Sequence, residues 1–372
     1  MRDHVVEIIS GRIERIIPAK QIHRNSPITH LSKGFLAPGF IDLQVNGVGD
    51  CDLALQGEAA VGRLAKNLAR DGCTGFLAAL ITSDRESLRR GMAAARPWMD
   101  KSSGGARLLG VHLEGPFLDA SKRGIHPARH VQIPSRKNVD EVLKTGGAML
   151  RLMTLAPEIW GGLDLVKRLK KENIAASIGH SNASYDEAMR AFDAGAKSVT
   201  HLFNACSSFH QRAPGIVGAA LQAPEVIVQI IPDGVHVHPV AVDLAYRIKG
   251  KNKTAVVTDA LAGAPKKFRF AGKNIATRAP GTFVDAKGVL AGSSLGMAQA
   301  LANLRSFVRA PLEDLIQCLS ATPAALLGLG RSKGTLEKGK DADMVWLDDT
   351  GGVLATWVGG EQVYVRDHRV YR

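Results

Sequence analysis

Residues 176–215, ASIGHSNASYDEAMRAFDAGAKSVTHLFNACSSFHQRAPG, decide how this chain is read. The run opens as an apolar strand ending in Gly179-His180, passes through a helix, and re-enters a strand, Lys197-Ser198-Val199-Thr200, that ends in His201. In a parallel α/β barrel all strand ends of one sense open on a single face, and that face carries the active site. Two histidines at successive strand ends are therefore placed as neighbours. Neutral imidazole is the commonest metal-ligating side chain near neutral pH, so such a pair suggests a metal site in need of an acidic partner. Glu114, closing the strand Leu108-Leu109-Gly110-Val111-His112-Leu113, is that partner. Two histidines and one carboxylate leave coordination positions open to water, which metal-assisted hydrolysis requires.

The alternation continues on both sides of this stretch. Candidate strands lie near residues 36–45, 75–81, 107–114, 149–155, 174–180, 197–202, 226–231 and 254–259. Amphipathic segments separate them, such as Glu58 to Arg70 with Val61, Leu64, Ala65 and Leu68 on one face, and Gly162 to Glu172 with Leu163, Val166 and Leu169. Eight strands alternating with helices predict an α/β fold, a (β/α)8 TIM barrel over residues 37–334. Ser294 to Val308 and Pro311 to Leu319 read as two further helices. At the N-terminus, residues 3–17 alternate as short antiparallel strands with a turn, and Asp343 to Leu347 and Gln362 to Val365 answer them between Gly351-Gly352 and Gly359-Gly360. The two termini, residues 1–36 and 335–372, are thus expected to assemble one small β-sandwich domain.

Polar groups stand at the ends of six of the eight candidate strands. They are Asp42-Leu43-Gln44-Val45-Asn46, Glu114, His180, His201-Leu202-Phe203-Asn204, Asp233-Gly234-Val235-His236, and Asp259. A lone histidine there is more often a satisfied structural residue than a ligand, and a lone Asp before a turn is more often a helix cap. Six ends carrying groups that bind metal or move protons are poorly explained by coincidence. His112, two residues before Glu114, shares its face on a regular strand and is read as a neighbour of the ligands rather than one of them. His238 follows the seventh strand with Pro239 directly after, and is left out of the site.

Composition narrows the class. Hydrophobic residues make up 45% and charged residues 22% of the 372 residues, as in ordinary soluble globular proteins. No run approaches the roughly 18 apolar residues of a membrane span, and no signal-peptide core follows the first residues, so a cytoplasmic location without membrane association is expected. Cys51, Cys73, Cys206 and Cys318 are widely spaced, which argues against both a disulfide framework and a thiolate zinc site. The net charge of +13 is densest at Lys167-Arg168-Leu169-Lys170-Lys171 and Lys266-Lys267-Phe268-Arg269. With 5% aromatic residues and no nucleic-acid-binding motif, no nucleic-acid partner is expected, and a phosphorylated small substrate is the better use of that charge.

Several motifs carry a resemblance. Pro38-Gly39-Phe40-Ile41-Asp42-Leu43-Gln44-Val45-Asn46-Gly47, His112-Leu113-Glu114-Gly115-Pro116-Phe117, Gly179-His180-Ser181, Thr200-His201-Leu202-Phe203-Asn204-Ala205, Asp233-Gly234-Val235-His236 and Val257-Thr258-Asp259-Ala260 are among them. With Leu290-Ala291-Gly292-Ser293-Ser294 and the run from Lys333 to Asp343, they make the chain similar to the N-acetylglucosamine-6-phosphate deacetylase family of the amidohydrolase superfamily, from about Gly34 to Leu347. The Lys333–Asp343 run is common to many amidohydrolases; Leu-Glu-Gly-Pro with His-Leu-Phe-Asn-Ala is far more specific.

The resemblance implies Glu114, His180 and His201 as metal ligands and Asp259 as the acid/base that takes a proton from water and returns it to the leaving amine. It implies substrate contacts at Ile125 and His126, at Asn204 and Ala205, at Arg212 and His236, and along Ser293, Ser294 and Leu295, with Arg212 on the 6-phosphate. Gln44 would hydrogen-bond the metal's water. Related hydrolases place a carboxylated lysine at the end of the fourth strand, where this chain has Met153-Thr154-Leu155. Others open the first strand with His-x-His, where it has Gln44-Val45-Asn46. Carboxamides are weak ligands, so one divalent ion per chain is expected, zinc first, with iron, manganese or cobalt as alternatives. The expected substrate is a small amino-sugar phosphate, with the galacto epimer as one alternative and a catalytically silent sugar-phosphate-binding barrel as another. The family also implies a homodimer in which Arg212 reaches into its own or the neighbouring subunit's site.

Overall fold

A computed structural model describes residues 4–22, 28–31, 33–52, 56–99, 101, 103–263, 267–278 and 281–366. Eight parallel strands form the central sheet in chain order. They are β1 (Phe40–Val45), β2 (Cys73–Ile81), β3 (Arg107–Glu114), β4 (Leu150–Leu155), β5 (Ala175–Ile178), β6 (Ser198–Val199), β7 (Ile227–Ile230) and β8 (Thr254–Val256). The first and last strands meet through a parallel bridge between Val45 and Ala260, where the Asn46 and Gly47 N–H groups both donate to the Ala260 carbonyl at 2.9 and 3.0 Å. That bridge closes the expected (β/α)8 barrel at the end where the strands finish.

The helices follow from their patterns. Between β1 and β2, α1 (Glu58–Arg70) buries Val61, Leu64, Ala65 and Leu68, the stripe its spacing predicts. The others around the barrel are α2 (Arg85–Ala95), α3 (Arg136–Gly146), α4 (Gly162–Lys171), α5 (Tyr185–Ala194), α6 (Gly215–Gln222) and α7 (Pro239–Lys249). After β8 come α8 (Met297–Phe307), α9 (Leu312–Leu319) and α10 (Ala321–Leu326). At the start of α5, Ser184 and Glu187 form a capping box, which satisfies two otherwise orphaned N–H groups directly after the His180 turn. No helix among the described residues is long and apolar enough to cross a membrane.

Three features differ from the pattern read in the sequence. The run at 36–45 is two strands, because the chain changes partners at Gly39. Its N–H donates to Asp343 at 3.0 Å, whereas the next N–H, of Phe40, donates to Gly72 at 3.0 Å. Phe35–Pro38 thereby joins the terminal sheet and Phe40–Val45 the barrel. Only glycine fits at the switch, since a Cβ there would lie 2.1 Å from Thr74 Cγ2. The second difference is Val353–Val358, a further strand whose buried, apolar start lacks the alternation of a half-buried strand. Third, an antiparallel meander of Lys267–Phe270, Lys273–Arg278, Thr282–Asp285 and Leu290–Ser293 stands between β8 and α8. Lys266 of the basic run lies outside the described residues.

The terminal sheet runs Glu361–Val365, Val353–Val358, Met344–Leu347, Phe35–Pro38, all antiparallel. The hairpin His4–Ile9 with Arg12–Pro18 packs onto it through Ile13, Ala342 and Met344, so the two chain ends share one small core. All four cysteines are buried free thiols.

Candidate metal and acid–base site

The side chains singled out in the sequence converge at the closed end of the barrel. Glu114 is the last residue of β3, and His180, His201 and Asp259 follow β5, β6 and β8 within three residues. His180, His201 and Asp259 have φ of 48°, 31° and 49°, and Phe203 and Ala205 are also left-handed, at 79° and 46°. Non-glycine residues rarely adopt this region, so strained backbone is concentrated at one rim.

Glu114 Oε1 lies 3.1 Å from His180 Nε2 and 3.0 Å from His201 Nε2, and the two Nε2 atoms are 3.1 Å apart. His180 Nδ1 donates to the Lys122 carbonyl at 2.9 Å, which fixes its proton there and leaves Nε2 a bare lone pair. A carboxylate oxygen and two imidazole nitrogens at mutual hydrogen-bond distance cannot all be satisfied by the one proton His201 could supply. One divalent cation satisfies all three, and the N,N,O donor set suits a transition metal. Ligand atoms of His126, Glu114 and His180 also lie within 4.8 Å of one another, with His126 Nε2 3.6 Å from Glu114 Oε2. The Nδ1 atoms of His126 and His201 are buried without a partner among the described residues. Burial alone would raise the Glu114 pKa, but the three imidazoles facing it, of His126, His180 and His201, outweigh it and hold the carboxyl well below its usual range.

Asp259 is tuned the other way. Burial and the Glu114 charge push its carboxyl well above the usual range, while hydrogen bonds from Asn46 and Gln44 offset only part of this. Gln44 Nε2 donates to Asp259 Oδ1 at 3.0 Å and to Glu114 Oε1 at 3.1 Å, and Asn46 Nδ2 donates to Asp259 Oδ1 at 2.9 Å. Two carboxylates with opposed shifts, bridged by a neutral amide, are what acid–base chemistry beside a cation needs. Beneath them Asp42 accepts from the Gln44 and Thr258 N–H groups at 3.1 and 3.3 Å and from the Thr258 hydroxyl at 2.5 Å. Its complete burial pushes the pKa up to about 6.

His112 faces the Leu43 carbonyl at 3.0 Å and Thr154 Oγ1 at 2.7 Å, and burial pulls it down to about 4. Both ring nitrogens are thus used in the barrel interior. His238 is the N-cap of α7, its Nδ1 accepting from the Val240 N–H at 3.2 Å. On the rim, His236 Nδ1 donates to Asp233 Oδ2 at 2.6 Å. Asn204 Nδ2 reaches the His201 and Leu202 carbonyls at 3.3 and 3.4 Å, and the Ala205 carbonyl accepts from the Ser181 N–H at 3.2 Å.

Other expected contact residues sit differently. Ser293 Oγ donates to the Thr258 carbonyl at 2.6 Å and accepts from the Leu295 N–H at 3.0 Å, which engages its hydroxyl within the fold. Leu295 is buried, and exposed Ser294 donates to the Gly281 carbonyl at 2.8 Å. Ile125 packs with Leu261 and Phe283 under the meander and so anchors the loop that carries His126. Arg212 is exposed on a small turn bridged by His210 and Ala213. Among the described residues no ion pair involves its guanidinium. The sequence reading missed Asn46 as the second partner of Asp259. The signal was present, since Asp42, Gln44 and Asn46 recur at a period of two and share one face of an extended chain.

Known proteins resemble this chain over most of its length. Residues 35–363 match the amidohydrolase family. An N-acetylglucosamine-6-phosphate deacetylase of Bacillus subtilis is 33% identical over 89% of this chain and 85% of its own. An N-acetylgalactosamine-6-phosphate deacetylase of a Shewanella species is 36% identical over 91% of this chain and 86% of its own. The crystal structure of N-acetylglucosamine-6-phosphate deacetylase from Pasteurella multocida superposes with a TM-score of 0.91 at 30% identity, covering 97% of this chain and 95% of that one.

Proposed function

Because the chain belongs to the amidohydrolase family, we propose that it is a metal-dependent deacetylase that hydrolyses N-acetylglucosamine 6-phosphate to glucosamine 6-phosphate and acetate. The observation that carries this reading is the convergence of Glu114, His180 and His201 beside Asp259, on a chain similar throughout to hexosamine-phosphate deacetylases.

Glu114, His180 and His201 would hold one divalent ion, zinc first among the candidates. Such an ion lowers the pKa of a bound water to near 7 and polarises an amide carbonyl. Asp259 accepts the proton of the attacking water and passes it to the amine nitrogen, which leaves poorly unless protonated. Because Gln44 and Asn46 both donate to Oδ1, Oδ2 is the oxygen that moves the proton. Gln44 also spans to Glu114, so its amide holds the two carboxylates in register. Gln44 and Asn46 offer weakly ligating carboxamides where a second ion would need imidazoles, so one ion per chain is proposed. His126 holds the substrate carbonyl or a neighbouring hydroxyl, and Asn204, Ala205 and His236 line the sugar. Arg212 takes the 6-phosphate through a bidentate pair.

A homodimer goes with this reading. α7 exposes Val240, Leu244 and Ile248 by 58%, 52% and 57% at intervals of four residues, and Phe209, three residues from Arg212, is 62% exposed. A stripe of this kind fits a second copy of the chain, which would bring Arg212 to the partner's site. A charged phosphate ester does not cross a bilayer unaided, so a cytoplasmic location accompanies the substrate.

The test is acetate release from the gluco and galacto 6-phosphates and from both unphosphorylated sugars. Turnover highest on the gluco 6-phosphate is expected. Preference for the galacto epimer, the sugar in the Shewanella relative's name, would replace the sugar and keep the mechanism. No release from any of the four would overturn the reading.

A further inference from the structure

The strained turn at His180 is held from outside its own strand. Its carbonyl accepts from the Asp119 N–H at 2.9 Å, and its ring is tied to the Lys122 carbonyl. The two residues that follow are gripped by one carboxylate: Ser181 Oγ donates to Glu158 Oε2 at 2.6 Å and the Asn182 N–H donates to Glu158 Oε1 at 2.6 Å. Glu158 stands three residues beyond β4, so its side chain spans from one strand end to the next. Ser181 then continues the link, because its N–H donates to the Ala205 carbonyl at 3.2 Å and its own carbonyl accepts from the Ser207 N–H at 3.1 Å. The loop after His201 is thereby attached to the same clamp.

We propose that Glu158 is a positioning residue of the metal site, whose carboxylate fixes Ser181 and Asn182 and so keeps His180 in the left-handed conformation that aims Nε2 at Glu114 and His201. The proposal rests on the reading of His180 as a metal ligand. A left-handed non-glycine residue persists only where its surroundings over-determine it, and charge-assisted bonds are roughly twice as strong as neutral ones. Both donors need an acceptor. A glutamine at 158 offers one oxygen and sets an NH2 group against the other donor, whereas alanine offers neither acceptor. Residues that orient a ligand in this way change metal affinity without touching the metal.

The test is zinc affinity by chelator competition for the wild type, Glu158→Gln, Glu158→Ala, Ser181→Ala, the Glu158→Ala/Ser181→Ala pair and His180→Ala. Circular dichroism of each metal-free protein checks the fold. His180→Ala should lose tight binding. Glu158→Ala should weaken it by roughly 10- to 100-fold, with Glu158→Gln between it and the wild type. Ser181→Ala should add little on top of Glu158→Ala, since the Ser181–Glu158 bond is already lost there, and excess zinc should restore kcat with KM little changed. Folded Glu158→Ala and Glu158→Gln proteins with zinc affinity within about twofold of wild type would overturn the proposal. If Glu158→Ala does not fold, the size-matched Glu158→Gln decides. Retention of wild-type affinity in His180→Ala would instead overturn the ligand reading itself.

Discussion

Asp259 and Asp42 are two buried acids on adjoining strands with different work. Asp259, whose carboxyl burial and Glu114 push well above its usual range, is the proposed proton carrier. Asp259→Asn should keep fold and zinc binding while kcat falls by roughly 100- to 10,000-fold, because an amide cannot take the water's proton. Near-normal kcat would remove Asp259 from the mechanism. Asp42 is fully engaged by Gln44 and Thr258 and serves the fold. Its pKa rises from 3.8 to about 6, so between those values the folded chain keeps a proton that the unfolded chain has released. Its favourable contribution is therefore complete below about pH 4 and lost as pH rises through 6, a difference on the order of 3 kcal/mol. Urea unfolding of wild type and Asp42→Asn at several pH values between 4 and 7 should show the variant gaining relative stability as pH rises; parallel profiles would refute this. Arg212→Ala should lower kcat/KM by roughly 10- to 150-fold on the phosphorylated sugar and hardly affect the unphosphorylated one. Equal losses on both would show that Arg212 acts on something other than phosphate.

The elements are tied together by buried polar links as much as by apolar packing. Inside the barrel His112 contacts Thr154, whose hydroxyl is 2.7 Å from that of Thr200, which is 2.7 Å from Ser177. Four strand ends are thus joined directly beneath the proposed ligands. Where the barrel meets the terminal sheet, Lys333 is 6% exposed and donates to Asp341 and Asp343 at 2.7 and 2.5 Å. Asp343 also accepts the Gly359 N–H through Oδ1 and the Gly39 N–H through its carbonyl, so one residue anchors both chain ends. Lys333→Met would leave buried Asp343 without its cation and Asp341 with only Arg107, at 4.0 Å. A loss of roughly 3–5 kcal/mol is expected, read as an earlier denaturation midpoint. A shift below about 1 kcal/mol would mean that the junction does not depend on this pair. The sequence showed the Lys333–Asp343 run only as a weakly specific motif, because its electrostatic role appears once residues 39, 343 and 359 are adjacent.

At the scale of the whole molecule, the proposed homodimer sets Arg212 in its own site or in its partner's. Leu244→Glu, which puts a charge in the middle of the exposed α7 stripe, should shift sedimentation from dimer to monomer. An unchanged dimer would place the interface elsewhere. Mixing Arg212→Ala with Asp259→Asn subunits, each impaired on the phosphorylated sugar, should raise kcat/KM above that of either variant alone if Arg212 acts across the interface. In the mixed dimer one site then has both residues. No recovery after verified subunit exchange would assign Arg212 to its own subunit.

What the sequence determined by itself was whatever depends on local order. The eight strand-and-helix alternations, the α1 stripe, and the placing of Glu114, His180, His201 and Asp259 at strand ends all follow from spacing along the chain, and a parallel barrel turns that spacing into adjacency. The tertiary structure decided what depends on partners distant in the chain. Asn46 meets Asp259 across 213 positions, Gly39 separates two strands because Thr74 crowds it while its N–H donates to Asp343, and Glu158 reaches Ser181 only because β4 and β5 pair in parallel. The meander after β8 belongs to the same group, since its short strands are held by one another and by Ile125 and Leu261 beneath them. Hydrophobic period is a property of neighbours in sequence, whereas hydrogen bonding and close approach are properties of neighbours in space.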